Sequence, residues 1–225
     1  MAYGAFEHGE TNGKTSGSSG GGFVVVQRRS TRSPEMEAFL ISLSTVAIAE
    51  MGDRTQLLAL VLAAHYRKPW PIIAGIVCAT LVNHAVAGYV GAHIGHFLTP
   101  SRLDLVVGIS MIGMALWTLK PDKLGDEDAK PRRASAFAAT CIAFFIAEIG
   151  DKTQIATMAL GAAYQNLAAV VSGTTLGMLA ANVPVIFLGN AFSQRLPLKA
   201  IHIVASLLFL GLGALFIWRA LAHGV

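Results

Sequence analysis

Six apolar stretches, at about 37–64, 70–97, 103–119, 136–163, 166–192 and 199–221, approach or exceed the ~20 residues that carry an α-helix across a bilayer. Lipid offers the backbone no hydrogen-bond partner, so a chain crossing it in such lengths closes its own bonds inside each helix. The expected fold class is an all-α integral membrane protein with six transmembrane helices. Composition agrees. Of the 225 residues 54% are hydrophobic and 13% charged, against about 25% charged in soluble domains, and mean hydropathy is +0.58. The formal charge of +4 sits in loops and the N-terminal tail, which suits a positive-inside bias better than nucleic-acid binding. No Walker A loop, dinucleotide fingerprint or metalloprotease helix occurs, so ATP hydrolysis by this chain is not expected. Cys78 and Cys141 fall inside apolar runs and read as packing residues, not as a disulfide or metal site.

Residues 1–35 differ from the rest. "TNGKTSGSSGGG" is low-complexity and flexible, "QRRSTR" is basic, and the segment is too long and polar for a signal peptide. It is expected to be a disordered tail, either a tag or an upstream extension, with Met36 a natural start. Between the third and fourth spans "KPDKLGDEDAKPRR" is the one long polar connection. The expected organisation is thus 36–119, a linker at 120–135, and 136–225.

The two large segments are repeats. Glu50 and Glu148 are 148 − 50 = 98 residues apart, and the same offset pairs Asp53 with Asp151, Gln56 with Gln154, Tyr66 with Tyr164, Gly75 with Gly173, Gly91 with Gly189 and Gly113 with Gly211. An ungapped register across three spans indicates duplication. Three spans is an odd number, so the second unit enters the membrane from the opposite side. That is an inverted-topology repeat, which puts a substrate site near the midplane between halves. Loops one, three and five carry Arg67, Lys68, Lys120, Lys123, Lys130, Arg132, Arg133, Arg195 and Lys199. The other side has Arg102 and Arg219, with Arg28, Arg29 and Arg32 of the tail. This asymmetry predicts a cytoplasmic central loop and both termini outside.

Each half carries an acidic motif where hydrocarbon is expected: "AEMGDRTQ" at 49–56 and "AEIGDKTQ" at 147–154. Both fall near the middle of a span, where one charge costs about 2.5–3.5 kcal/mol on insertion scales. Glu50, Asp53 and Arg54 are spaced to share one helix face, as are Glu148, Asp151 and Lys152. Gly52 and Gly150 permit close backbone approach or a local break. Thr55, Gln56, Thr153 and Gln154 add neutral oxygens. If the two faces meet, the result is a cage of hard oxygen donors, suited to Ca²⁺, Mg²⁺ or Mn²⁺. Four carboxylates less Arg54 and Lys152 leave −4 + 2 = −2, the charge one divalent cation neutralises. When the metal leaves, crowded carboxylates take up protons in its place. A site holding either metal or protons is the minimal design of an antiporter. The competing reading is a structural ion pair closed within each helix, but two symmetric copies of so costly a feature favour function.

Two copies of E-φ-G-D-(K/R)-(T/S), Glu50-Met51-Gly52-Asp53-Arg54-Thr55 and Glu148-Ile149-Gly150-Asp151-Lys152-Thr153, in a six-span chain of three-span halves, resemble the calcium:proton antiporter-2 family. The resemblance runs from about Met36 to the C-terminus. It implies export of Mn²⁺, sometimes Ca²⁺, from the cytosol against protons, with the four motif acids forming the ion pathway. The metal is substrate, and no cofactor is expected. The short central loop fits a bacterial member, hence the inner (plasma) membrane.

Weaker features remain. His84 and Asn182 are equivalent by offset and could line the pathway, bond a motif acid or act as packing glue. His84, His93 and His96 could form a metal triad, although surface or interfacial positions account for them as well. Trp70, Trp117 and Trp218 lie near span ends and read as interface anchors. Two other function classes stay open: an exporter of another small solute such as an amino acid, and an intramembrane aspartyl protease. The protease needs two non-equivalent acids and gives no role to the base after each Asp.

Overall fold

Two of the expected spans are each broken once, and both breaks fall on the acidic motifs. In the computed structural model, which describes residues 33–120, 134–164, 166–189 and 197–222, every regular element is α-helical. There are eight helices among these residues: α1 (Pro34–Glu50), α2 (Arg54–Tyr66), α3 (Pro69–Phe97), α4 (Pro100–Thr118), α5 (Ala136–Glu148), α6 (Lys152–Tyr164), α7 (Leu167–Leu188) and α8 (Leu198–Ala222). Four segments, Pro69–Phe97, Pro100–Thr118, Leu167–Leu188 and Lys199–Ala222, are long and apolar enough to cross a membrane. The expected continuous spans at 37–64 and 136–163 are each two helices instead. The expected tail and the 120–135 linker lie almost wholly outside the described residues. Pro34 and Glu35, expected in the tail, open α1.

Local chemistry sets most boundaries. Ser33 caps α1 by accepting the Met36 N–H, with Pro34 at the first helical position and Glu35 and Glu37 in the first turn. Ser135 accepts from the Ala138 N–H at 3.2 Å and Asn166 from the Ala169 N–H at 3.0 Å, starting α5 and α7. Pro69 and Pro100 open α3 and α4, where a missing N–H costs nothing.

The packing exchanges partners between halves. α7 lies on α1, and α3 lies on α5. Glycine makes both contacts possible: a Cβ on Gly173 would stand 2.5 Å from the Phe39 carbonyl oxygen and 2.9 Å from the Ser42 Cβ. A Cβ on Gly75 would stand 2.8 Å from the Phe137 carbonyl oxygen and 2.8 Å from the Thr140 Cβ. Every residue in the second contact is the 98-offset partner of one in the first. α4 packs on α8, and α3 also lies along α6. Two apolar clusters result. One joins α1, α4, α6, α7 and α8 around Met111, Leu160 and Phe209. The other joins α1, α2, α3, α5 and α7 around Leu58, Ile76 and Phe144. Trp70, Phe97, Leu116, Leu207 and Trp218 remain exposed, an arrangement costly in water and favourable against lipid.

Candidate ion-binding site

Both breaks have one construction. α1 stops at Glu50 because Met51 is extended and Gly52 has φ +80°, and α5 stops at Glu148 because Ile149 is extended and Gly150 has φ +72°. A side chain at either glycine would be strained in the left-handed region. The Asp53 N–H donates to the Glu50 carbonyl at 3.1 Å, and the Asp151 N–H donates to the Glu148 carbonyl at 3.1 Å. The glutamine four residues beyond each glycine closes the turn: Gly52 N–H donates to Gln56 Oε1 at 2.9 Å and Gly150 N–H to Gln154 Oε1 at 2.8 Å. Gln56 then donates through Nε2 to the Ala181 carbonyl at 2.9 Å, tying α2 to α7.

This geometry corrects the expectation of a shared helix face. Glu50 ends α1 while Asp53 is the N-cap of α2, so the turn at Gly52 brings them together and helical periodicity does not. The broken ends also supply fixed dipoles. The negative C-termini of α1 and α5 and the positive N-termini of α2 and α6 meet the motif acids, as half-helices do at midplane ion sites.

The ion pairs cross between halves. Arg54 Nη2 lies 3.4 Å from Asp151 Oδ1 and also donates to the Ala147 carbonyl in the last turn of α5. Lys152 Nζ pairs with Asp53 Oδ1. Each base thus reaches the aspartate of the opposite motif, which replaces the alternative of a pair closed within one helix. Asp53 is fully buried, and Asp151 and Lys152 nearly so, while the Arg54 side chain is 30% exposed. Thr153 donates to Asp151 Oδ2 through its backbone N–H at 3.3 Å and its hydroxyl at 3.1 Å.

The four motif acids do not share one environment. One carboxylate oxygen each from Glu50, Asp53 and Asp151 lies within 4.8 Å of the others, all three residues being buried. Two metal–oxygen bonds of ~2.4 Å span about that distance. Glu148 stands apart, held by α3: Thr80 Oγ1 donates to its Oε1 at 2.7 Å, Asn83 Nδ2 to its Oε2 at 3.4 Å, and His84 Nε2 lies 3.8 Å from Oε2. Among the described residues Glu50 receives one long side-chain contact, from Asn182 Nδ2 at 3.5 Å. Its Oε2, the Thr55 hydroxyl and Asn182 Oδ1 are buried with no hydrogen-bond partner among the described residues. Each such group costs about 1–3 kcal/mol unless something else satisfies it, and all three are oxygen donors of the kind a hard cation takes.

The structure therefore brings the residues of the two motifs together. Glu50, Asp53, Asp151, Arg54 and Lys152 interact across the halves, Glu148 sits beside them, and Gly52, Gly150, Gln56 and Gln154 build the turns. Thr153 supports Asp151, and Thr55 is buried close by in sequence. His84 and Asn182 each face the glutamate of the opposite motif. His93 and His96 are exposed whereas His84 is buried, so no histidine triad forms. Sequence reasoning missed Thr80. Its signal was available, since Thr80, Asn83 and His84 lie at i, i+3 and i+4 on one face of α3.

A family model described as "Divalent cation/proton antiporter GDT1" matches residues 38–126 and again 136–224. The chain belongs to this family. Each matched segment contains one of the two acidic motifs, and the family is one of divalent cation/proton antiporters, which stands in place of the amino-acid exporter alternative. With four helices long and apolar enough to cross a membrane, the chain is an integral membrane protein. Among curated proteins, one from Vibrio cholerae serotype O1 named "Putative manganese exporter" is 52% identical over 176 residues, covering 78% of this chain and 88% of the relative. The GDT1-like protein sll0615 of Synechocystis is 29% identical over 213 residues, covering 83% of this chain and 100% of the relative. A GDT1-like protein 3 of Oryza sativa is 24% identical, covering 78% of this chain and 71% of the relative. No solved structure matches the chain.

Proposed function

We propose that this protein exports Mn²⁺ from the bacterial cytosol in exchange for protons, by alternating access at the crossed acidic motifs. The observation that carries the reading is the buried cluster of Glu50, Asp53 and Asp151, built from both halves and balanced by Lys152 and Arg54. The metal is taken as Mn²⁺ because the 52% identical relative bears that name; Ca²⁺ takes the same oxygen donors and is the second candidate.

In this mechanism the cation enters between the two broken helices, binds the three clustered carboxylates and displaces Lys152 and Arg54 from the aspartates. On the return step the bases and protons neutralise the acids. Glu148, held by Thr80, Asn83 and His84, completes the pathway beside the cluster. The broken pairs α1–α2 and α5–α6 count as one span each, which with α3, α4, α7 and α8 gives six. The halves, 36–119 and 136–225, are inverted repeats joined by the 120–135 linker. The reciprocal contacts of Gly75 and Gly173 support that symmetry. The central loop is cytoplasmic and the termini are outside, following the Lys and Arg bias, in the plasma membrane.

The test is flux into liposomes loaded with a metal-sensitive dye, with Mn²⁺ or Ca²⁺ added outside, with and without an imposed pH gradient. Gradient-dependent Mn²⁺ flux that disappears in Asp53→Asn and in Glu148→Gln, both still inserted and folded, is the expected outcome. Full transport by either variant refutes the assignment of its acid. Flux indifferent to pH refutes proton exchange.

A further inference from the structure

The two glutamates are partners at the 98-residue offset, yet the three residues of the helix turn that faces each of them differ. Glu148 lies over the turn of α3 that holds Thr80, Asn83 and His84, and the 98-offset partners of those residues on α7 are Met178, Ala181 and Asn182. Where Thr80 donates a 2.7 Å hydrogen bond to Glu148, the Glu50 side has a thioether. Met178 is fully buried, and its sulfur lies 3.1 Å from the same Asn182 Nδ2 that reaches Glu50 Oε1 at 3.5 Å. Two consequences follow. Glu50 loses the hydroxyl donor its counterpart has, which leaves its Oε2 without a partner among the described residues and available to a cation. A soft, polarizable donor also stands one amide group from that carboxylate. Met has three rotatable side-chain bonds, so its sulfur can turn from Asn182 toward an ion held by Glu50.

We propose that Met178 is the specificity-determining residue of this site, a thioether ligand that favours divalent transition-metal ions over alkaline-earth ions. The inference rests on the reading of Glu50, Asp53 and Asp151 as the cation site. Ca²⁺ and Mg²⁺ take oxygen ligands, so a sulfur in the shell removes one place they could use. A first-row transition-metal ion accepts a thioether beside carboxylates, and a softer ion such as Cd²⁺ accepts it more readily. Asn182 Oδ1, also without a partner among the described residues, supplies a neutral oxygen beside the sulfur. The duplicated half, with a hydroxyl at the corresponding place, holds its glutamate and selects nothing.

The experiment is the same liposome flux, read as the Mn²⁺ to Ca²⁺ rate ratio and as inhibition of Mn²⁺ flux by Cd²⁺. Met178→Leu keeps size and apolarity and is the change a packed site tolerates best. It is expected to lower the Mn²⁺ to Ca²⁺ ratio about tenfold, the scale on which single contacts at metal sites act, and to weaken Cd²⁺ inhibition in parallel. Met178→Gln, which puts a hard oxygen at similar reach, is expected to move the ratio toward Ca²⁺ as well, with Ca²⁺ flux retained or raised. An unchanged ratio and unchanged Cd²⁺ inhibition in Met178→Leu overturn the proposal. So does equal loss of Mn²⁺ and Ca²⁺ flux in both folded variants, because that marks a packing role. Failure of the underlying site reading has a different signature: Mn²⁺ flux that survives Asp53→Asn in a protein that keeps Met178.

Discussion

Replacing Lys152 by methionine separates the two crossed ion pairs by their burial. Lys152 and Asp53 are 3% and 0% exposed at their side chains, whereas Arg54 and Asp151 are 30% and 4% exposed. Removing one partner of a buried pair leaves an uncompensated charge and costs about 3–5 kcal/mol. A partly solvated pair is worth up to about 1 kcal/mol. For a chain of this size 1 kcal/mol moves the midpoint by roughly 2–4 °C, so Lys152→Met is expected to lower Tm by on the order of 10 °C and Arg54→Met by a few degrees. The measurement is thermal unfolding in detergent, without metal and with Mn²⁺. If lysine stands where the ion binds, Mn²⁺ need not displace it in the variant, and the metal-induced rise in Tm is larger there than in wild type. A site filled to a hundred times its dissociation constant gains about 2.7 kcal/mol, enough to recover much of the loss. Adding Asp53→Asn to Lys152→Met removes the stranded charge, so the double variant is expected to be more stable than Lys152→Met alone and to lose the Mn²⁺ response. Equal destabilisation by the two single variants, or a Mn²⁺ effect no larger in Lys152→Met, refutes the reasoning.

Two further outcomes follow from the backbone. Gly52→Ala and Gly150→Ala force a Cβ into the left-handed region at φ +80° and +72°, at a cost of about 1–2 kcal/mol each. Both should lower transport more than stability because the turn positions the acids, a comparison made by flux against Tm. Gly173→Ala puts a Cβ 2.5 Å from the Phe39 carbonyl oxygen and must push α7 off α1, whereas Gly211→Ala meets nothing within 4 Å. The first is expected to cost about 1–3 kcal/mol and the second to leave Tm unchanged or raised; equal Tm values for the two would contradict the close packing of α1 on α7.

The candidate site residues stood out in the sequence because charge in apolar surroundings is costly, and here it recurs at the same place in both motifs. Their mutual geometry was not. A continuous span through "AEMGDRTQ" and a span broken at Gly52 have the same hydropathy, and only the positive φ distinguishes them. Periodicity placed Glu50, Asp53 and Arg54 on one face, while the structure joins Glu50 to Asp53 by a turn and sends Arg54 to the opposite motif. Thr80 escaped notice because a lone threonine in a span more often bonds its own helix, as Thr140 does to the Ala136 carbonyl at 2.7 Å.

Taken alone, the sequence determined the helical membrane class, the 98-residue register that pairs the two motifs and the acids that those motifs set in apolar sequence. These depend on composition and register, which are local and repeat along the chain. Tertiary structure decided which acids meet. The packing of α7 on α1 and α3 on α5 gives each glutamate a neighbour from the other half. Because the two halves differ at Thr80 and Met178, that exchange gives Glu148 a hydroxyl donor and leaves Glu50 Oε2 without a partner among the described residues. No spacing within either repeat encodes that difference, since it arises only where a residue of one copy faces a residue of the other.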